Sequence, residues 1–126
     1  MNGRPIVWQS KKQRTIALSS TEAEYYALGE AVREAIYIRQ WFKHYVGENF
    51  PVKILCDNQG TLHIADHSTD HNRTKHIDIQ HFFVREYIRN KSVFVSYINT
   101  SDNLADILTK ATAIPIFTGL RDRLLT

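Results

Sequence analysis

Val52-Lys53-Ile54-Leu55-Cys56-Asp57-Asn58-Gln59-Gly60 is the stretch on which the fold turns. Its first five residues form an apolar run bounded by Pro51, with the length and composition of a β-strand. The polar tetrad Asp57 to Gly60 then opens a helix near Thr61 to Asp66. A strand feeding a helix places Asp57 at the strand's carboxyl end, the rim where ligands bind in α/β sheets. Asp57 has a competing use as the helix N-cap, and Asn58 is an alternative cap.

Upstream of this stretch, Ile6-Val7-Trp8 and Thr15-Ile16-Ala17-Leu18 are short β-prone runs separated by polar residues, which predicts an antiparallel hairpin. Ser19-Ser20-Thr21, followed by acidic residues and a long proline-free stretch, predicts a helix that runs to about Val46 and stops at Gly47. Downstream, a polar segment from Asp66 to Lys75 leads into a helix over about His76 to Arg89, with Ile77, Phe82, Val84 and Ile88 among its apolar residues. Asn90-Lys91 breaks it. Val93 to Ile98 reads as a strand, Ser101-Asp102 opens a short helix carrying Leu104, Ile107 and Leu108, and a last helix follows Pro115. The order β-β-α-β-α-α-β-α, without repeats or linkers, predicts one mixed α/β domain over residues 1–126.

That length suffices for a single hydrophobic core. With 43% hydrophobic and 23% charged residues, the composition is that of an ordinary globular domain, and no apolar run approaches a membrane span. Cys56 is the only cysteine, so no internal disulfide can form. The amino end has no signal-peptide core, and an intracellular location is expected. A net charge of +3 is compatible with a polyanionic partner without requiring one.

Three acids stand out by position. Glu24 heads the series Leu28, Ala31, Ala35, Ile38, Phe42, an apolar helical stripe with a carboxylate at its start. The competing role is capping. Ser19 with Glu22 and Thr21 with Glu24 both fit the box in which the acid bonds back to an amide, and use of the first leaves Glu24 outside the cap. Asp57 is the second acid. Asp106 is the third, set beside Leu104, Ile107 and Leu108, with an i, i+4 ion pair to Lys110 as its structural alternative. Converging carboxylates would suit Mg²⁺, a hard cation that takes oxygen ligands.

The histidines offer a rival metal. His63, His67, His71, His76 and His81 fall close together, and His63 with His67 could share a zinc ion on one helical face. The segment has no thiolate, its later spacings leave that face, and Arg73 and Lys75 place positive charge beside any cation. A third reading has Arg73, Lys75 and His76 touching phosphates, with Lys11 and Lys12 doing so from the hairpin.

Five strings carry a family resemblance: Trp8 to Gln13, Ala17 to Tyr25, Cys56 to Gln59, Arg73-Thr74-Lys75-His76-Ile77-Asp78, and Ala105 to Lys110. In order and spacing they resemble the ribonuclease H region of copia-type LTR-retrotransposon Pol polyproteins, over nearly the whole chain. The resemblance implies an α/β, ribonuclease H-like fold, with a central mixed β-sheet flanked by α-helices. It implies an endonuclease that hydrolyses the RNA strand of an RNA–DNA hybrid during reverse transcription, using four acids and two Mg²⁺ ions, with Mn²⁺ as a substitute. Glu24, Asp57 and Asp106 match three of those acids. The partners implied are the hybrid and the reverse transcriptase domain of the same polyprotein, in a cytoplasmic virus-like particle or the nucleus, with no membrane.

The family's fourth acid lies on a first strand upstream of Ile6 to Trp8, and no acid precedes Glu22 here. The expectation is therefore a partial domain with its first strand missing and marginal stability. Two further readings remain open: a catalytically inactive nucleic-acid-binding remnant, and a zinc-binding module built on the histidines.

Overall fold

A computed structural model describes residues 4–14, 16–66 and 75–126, with side chains described from residue 79 onward in the last stretch. The chain divides into two compact units, Ala17–Tyr97 and a second that joins Met1–Ile16 to Ile98–Thr126.

The larger unit begins with helix α1, Ser20–Val46. The Ser19 side chain accepts a hydrogen bond from the Glu22 amide at 3.1 Å, and the Glu22 carboxylate accepts from the Leu18 amide at 2.7 Å. The box is thus built on Ser19 and Glu22, the first of the two arrangements the sequence allowed. Gly47 closes the helix at φ 77, a left-handed conformation that a side chain would strain. Strand β1, Val52–Cys56, helix α2, Gln59–Asp66, helix α3, Lys75–Arg89, and strand β2, Val93–Tyr97, complete the unit. Helix α3 ends in a Schellman arrangement: Lys91, at φ 59, donates to Ile88 O and Ser92 donates to Tyr87 O.

The two strands pair in parallel, Val52 opposite Val93 and Cys56 opposite Tyr97, so α2 and α3 form the crossover between them. One sheet face, carrying Val52, Ile54, Val93 and Val95, packs on Leu28, Val32, Ala35 and Ile36 of α1, Ala65 of α2 and Val84 of α3. Val32, Val84 and Val93 are fully buried. The other face leaves Leu55 and Phe94 about half exposed.

Three expectations are corrected. The sheet is two parallel strands among the described residues, in place of a central mixed sheet. No hairpin forms at Ile6 to Trp8 and Ile16 to Leu18: the described residues of both runs are irregular, with Trp8 at 70% and Ile16 at 93% exposure. A hairpin without an apolar layer to pack on is only marginally stable in water, and here the β-prone side chains stay in solvent. The buried stripe of α1 is also rotated from the predicted one. It follows Tyr25, Leu28, Gly29, Val32, Ala35 and Ile36, leaving Glu24 and Ala31 at its margin. Gly29 permits the close approach of α3, since a Cβ there would collide with the Gln80 amide.

The smaller unit has a 3-10 turn at Thr100–Asp102 and two helices, α4, Asp106–Thr109, and α5, Ile114–Leu125, the latter with Pro115 in its first turn. Ser10 is tied to it by donating to Leu108 O at 2.8 Å.

Val32→Ala removes buried methyls where α1, the sheet and α3 meet. It is expected to lower the unfolding free energy by about 2 kcal/mol, seen as a lower urea midpoint at unchanged slope.

Candidate functional site

The junction of β1 and α2 lies against the first turns of α1. Asn58 caps α2, its Oδ1 accepting from the Thr61 amide at 3.0 Å and its carbonyl from the Leu62 amide. Asp57 is thereby relieved of the capping role that competed for it, and it sits half-buried at the end of β1. Thr61, fully buried, donates its hydroxyl to Thr21 O at 3.2 Å and pins α2 to α1. Gly60 allows the approach, because a Cβ there would press on Thr21.

One turn beyond Thr21, Glu24 is half-buried. Its charge and that of Asp57 act on the same group, the Cys56 thiol. Burial pushes that thiol up, backbone hydrogen bonding at Asn58 draws it partly back, and the carboxylates of Glu24 and Asp57 push it up further. Two acids 33 positions apart in sequence therefore both act on the residue that ends β1. Ser19, Glu22 and Asn58 do the capping, so neither acid's position is accounted for by a helix start.

Tyr25, next to Glu24 in sequence, is buried in the core. Its ring stacks on His81 with centroids 4.1 Å apart and planes at 18°, and its hydroxyl has no hydrogen-bond partner among the described residues. Burial pushes the phenol up to about 12, with the Arg85 cation opposing the rise. Arg85 itself donates to Ile64 O at 3.1 Å, linking α3 to α2. Tyr25, Thr61 and Arg85 were not singled out by the sequence reading. A stripe drawn through Tyr25 and Val32 in place of Glu24 and Ala31 would have found Tyr25, since it holds larger apolar side chains at the same spacing.

Asp106 belongs to the smaller unit. It is buried at 8% exposure, with Lys110 Nζ 2.9 and 3.0 Å from its two carboxylate oxygens and Asn103 Nδ2 at 3.3 Å. The ion pair with Lys110 that competed for this acid is present. Asp102, one turn earlier, is exposed and pairs with Arg123 at 3.2 Å. Asp106 is the buried acid of the two.

Lys11 and Lys12 are exposed in irregular chain. Arg73 lies outside the described residues, as do the side chains of Lys75 and His76. Of the five clustered histidines, His63 is exposed on α2 and His81 is buried against Tyr25, while His67, His71 and the side chain of His76 are outside the description. Among the described residues no three His, Cys, Asp or Glu side chains are grouped to hold a metal, and no helix is long and apolar enough to cross a membrane.

The chain is 38% identical over 109 residues, 86% of its length, to a retrovirus-related Pol polyprotein from transposon TNT 1-94 of Nicotiana tabacum. It is 36% identical over 84% of its length to one from transposon RE2 of Arabidopsis thaliana. It is also 29% identical over 98% of its length to the Ty1-NL2 Gag-Pol polyprotein of Saccharomyces cerevisiae. Over most of its length the chain is therefore homologous to retrotransposon Pol polyproteins, and it is a retroelement-derived sequence. It spans 7–8% of the length of these relatives. Neither a family model nor a solved structure matches it.

Three substitutions separate these roles. Asn58→Ala removes the α2 cap and is expected to cost about 1 kcal/mol of stability by thermal unfolding, whereas Asp57→Asn keeps the cap and costs less. Tyr25→Phe removes a buried hydroxyl that has no partner, and at neutral pH should leave stability unchanged or slightly raised. The phenol is held neutral in the fold up to about 12 against 10.0 when unfolded, so its contribution is fully present below pH 10 and is lost as pH rises toward 12. Tyr25→Phe should blunt that alkaline loss, as read from urea midpoints across pH 9 to 12.

Proposed function

We propose that the chain is the ribonuclease H portion of a retrotransposon Pol polyprotein, hydrolysing the RNA strand of RNA–DNA hybrids with Glu24, Asp57 and Asp106 as oxygen ligands of Mg²⁺ or Mn²⁺. The observation that carries this reading is that Asp57 follows the last residue of β1, Cys56, and that the charges of both Glu24 and Asp57 bear on that residue's thiol. Half-buried carboxylates form a hard, anionic donor set suited to Mg²⁺. When bound, the ions supply activation of a water and stabilisation of the departing 3′ oxygen. The protein's own work is to hold the ligands in place: Thr61 locks α2 to α1, and Ser19 and Asn58 fix the two helix starts beside the carboxylates. Lys11 and Lys12, with Arg73, Lys75 and His76, are assigned to phosphates of the hybrid. Such contacts position a nucleic acid without reading its bases. In the parent polyprotein the reverse transcriptase domain would be the neighbouring partner, inside a virus-like particle or the nucleus.

The two-oxygen contact of Lys110 on Asp106 favours a second reading, an inactive remnant that binds nucleic acid. A carboxylate already neutralised by an ammonium ion is a weaker metal ligand until the pair opens.

Cleavage of a labelled RNA–DNA hybrid by the purified chain in Mg²⁺ or Mn²⁺ distinguishes the two. The reading predicts metal-dependent cleavage that falls at least about a hundredfold in Asp57→Asn and Glu24→Gln. Folded protein that retains the hybrid without cleaving it supports the remnant. Equal cleavage by parent and Asp57→Asn overturns the site assignment.

A further inference from the structure

Two neighbours hold the buried carboxylate of Asp106. Asn103 Nδ2 donates to Oδ1 at 3.3 Å, and the Asn103 side chain is itself aimed by its own Oδ1, which accepts from the Ala105 amide at 3.3 Å. Lys110 Nζ lies 3.0 Å from Oδ1 and 2.9 Å from Oδ2, so a single ammonium spans both oxygens. The backbone sets this geometry: the Lys110 amide donates to Asp106 O at 2.9 Å, closing the one helical turn that brings the two side chains together. The partners differ in their freedom to move. The Asp106 side chain is 11% exposed and tethered by Asn103, whereas that of Lys110 is 52% exposed and carries a compact, strongly hydrated charge on a flexible stem. Lys110 can withdraw into water, and Asp106 cannot follow it.

A buried carboxylate without a counter-charge is strongly destabilising, so the ammonium is its resident partner while no other cation is present. Burial also restricts access to oxygen lone pairs that Asn103 and Lys110 already use. A hard divalent ion and the ammonium therefore compete for the same two oxygens. We infer that Lys110 is a displaceable counter-cation, closing Asp106 in the metal-free chain and released from it when a divalent ion binds, an assignment that rests on Asp106 being a metal ligand. The pair then gates the acid instead of disabling it.

Mg²⁺ titration of the isotope-labelled full chain, followed by NMR, tests this without any measurement of cleavage. In the unmodified protein the Lys110 Nζ and Cε signals should move to the positions of solvent-exposed lysines, with the same midpoint as the Asp106 and Asn103 amides. In Lys110→Met, matched to the parent by circular dichroism, the Asp106 midpoint should fall about fivefold, the scale set by opening one such ion pair. Arg121→Gln removes an equal charge elsewhere in the same unit, from a pair with Asp122, and should leave the midpoint unchanged. A stationary Lys110 signal beside shifting Asp106 and Asn103 amides overturns the inference and leaves Asp106 as a ligand. So does an unchanged midpoint in Lys110→Met, or an equal gain in Arg121→Gln. No response at Asp106 in either the parent or Lys110→Met overturns the inference and the ligand role together.

Discussion

Two parallel strands cannot be joined by a tight turn, and two strands alone cannot keep water from either of their faces. The pairing of Val52–Cys56 with Val93–Tyr97 therefore depends on what crosses between the strands and what lies over them. Helices α2 and α3 make the crossing, and α1 lies over the same sheet face with Val32 fully buried at the contact. The register of α1 on that layer decides which of its side chains reach the strand end. Tyr25 and Leu28 go into the core, and Glu24, one position before Tyr25, is left at its margin beside Cys56 and Asp57.

Short polar ties convert this packing into a defined site. The Thr61 hydroxyl on Thr21 O and the tight approach at Gly60 fix the start of α2 against the start of α1. Each helix start is capped by a neighbour of the relevant acid: Ser19 and Glu22 serve α1, and Asn58 serves α2. Glu24 and Asp57 are consequently held in position without being consumed as caps. Burial pushes the Cys56 thiol up, and the charges of Glu24 and Asp57 push it up further, which disfavours a third negative charge at the strand end.

Much of this was legible in the sequence because it rests on local signals. The start of α1 at Ser19, its stop at Gly47, the strand ending in Cys56 and the break at Asn90-Lys91 all follow from residues adjacent to the feature they create. The Asp106–Lys110 pair was readable for the same reason, being one helical turn long. Features set by tertiary packing were less legible. The one-residue rotation of the α1 stripe is set by packing against residues distant in sequence, Val84 of α3 and Val93 of β2 among them. The hairpin failed as an expectation because β-propensity expresses itself only against a packed surface, and Trp8, Ile16 and Leu18 have none. Homology to Pol polyproteins agrees with the family resemblance at the level of the polyprotein, and the acids singled out by position are those the resemblance required.

The central claim is that Glu24 and Asp57 form one divalent-cation site, and Mn²⁺ titration of the isotope-labelled chain by NMR tests it most directly. The account predicts that substoichiometric Mn²⁺ selectively broadens the amide signals around Glu24 and around Asp57 and Asn58, reversibly on adding excess Mg²⁺. Broadening centred on His63 and His81, or none at Glu24 and Asp57 at any Mn²⁺ concentration, would contradict it.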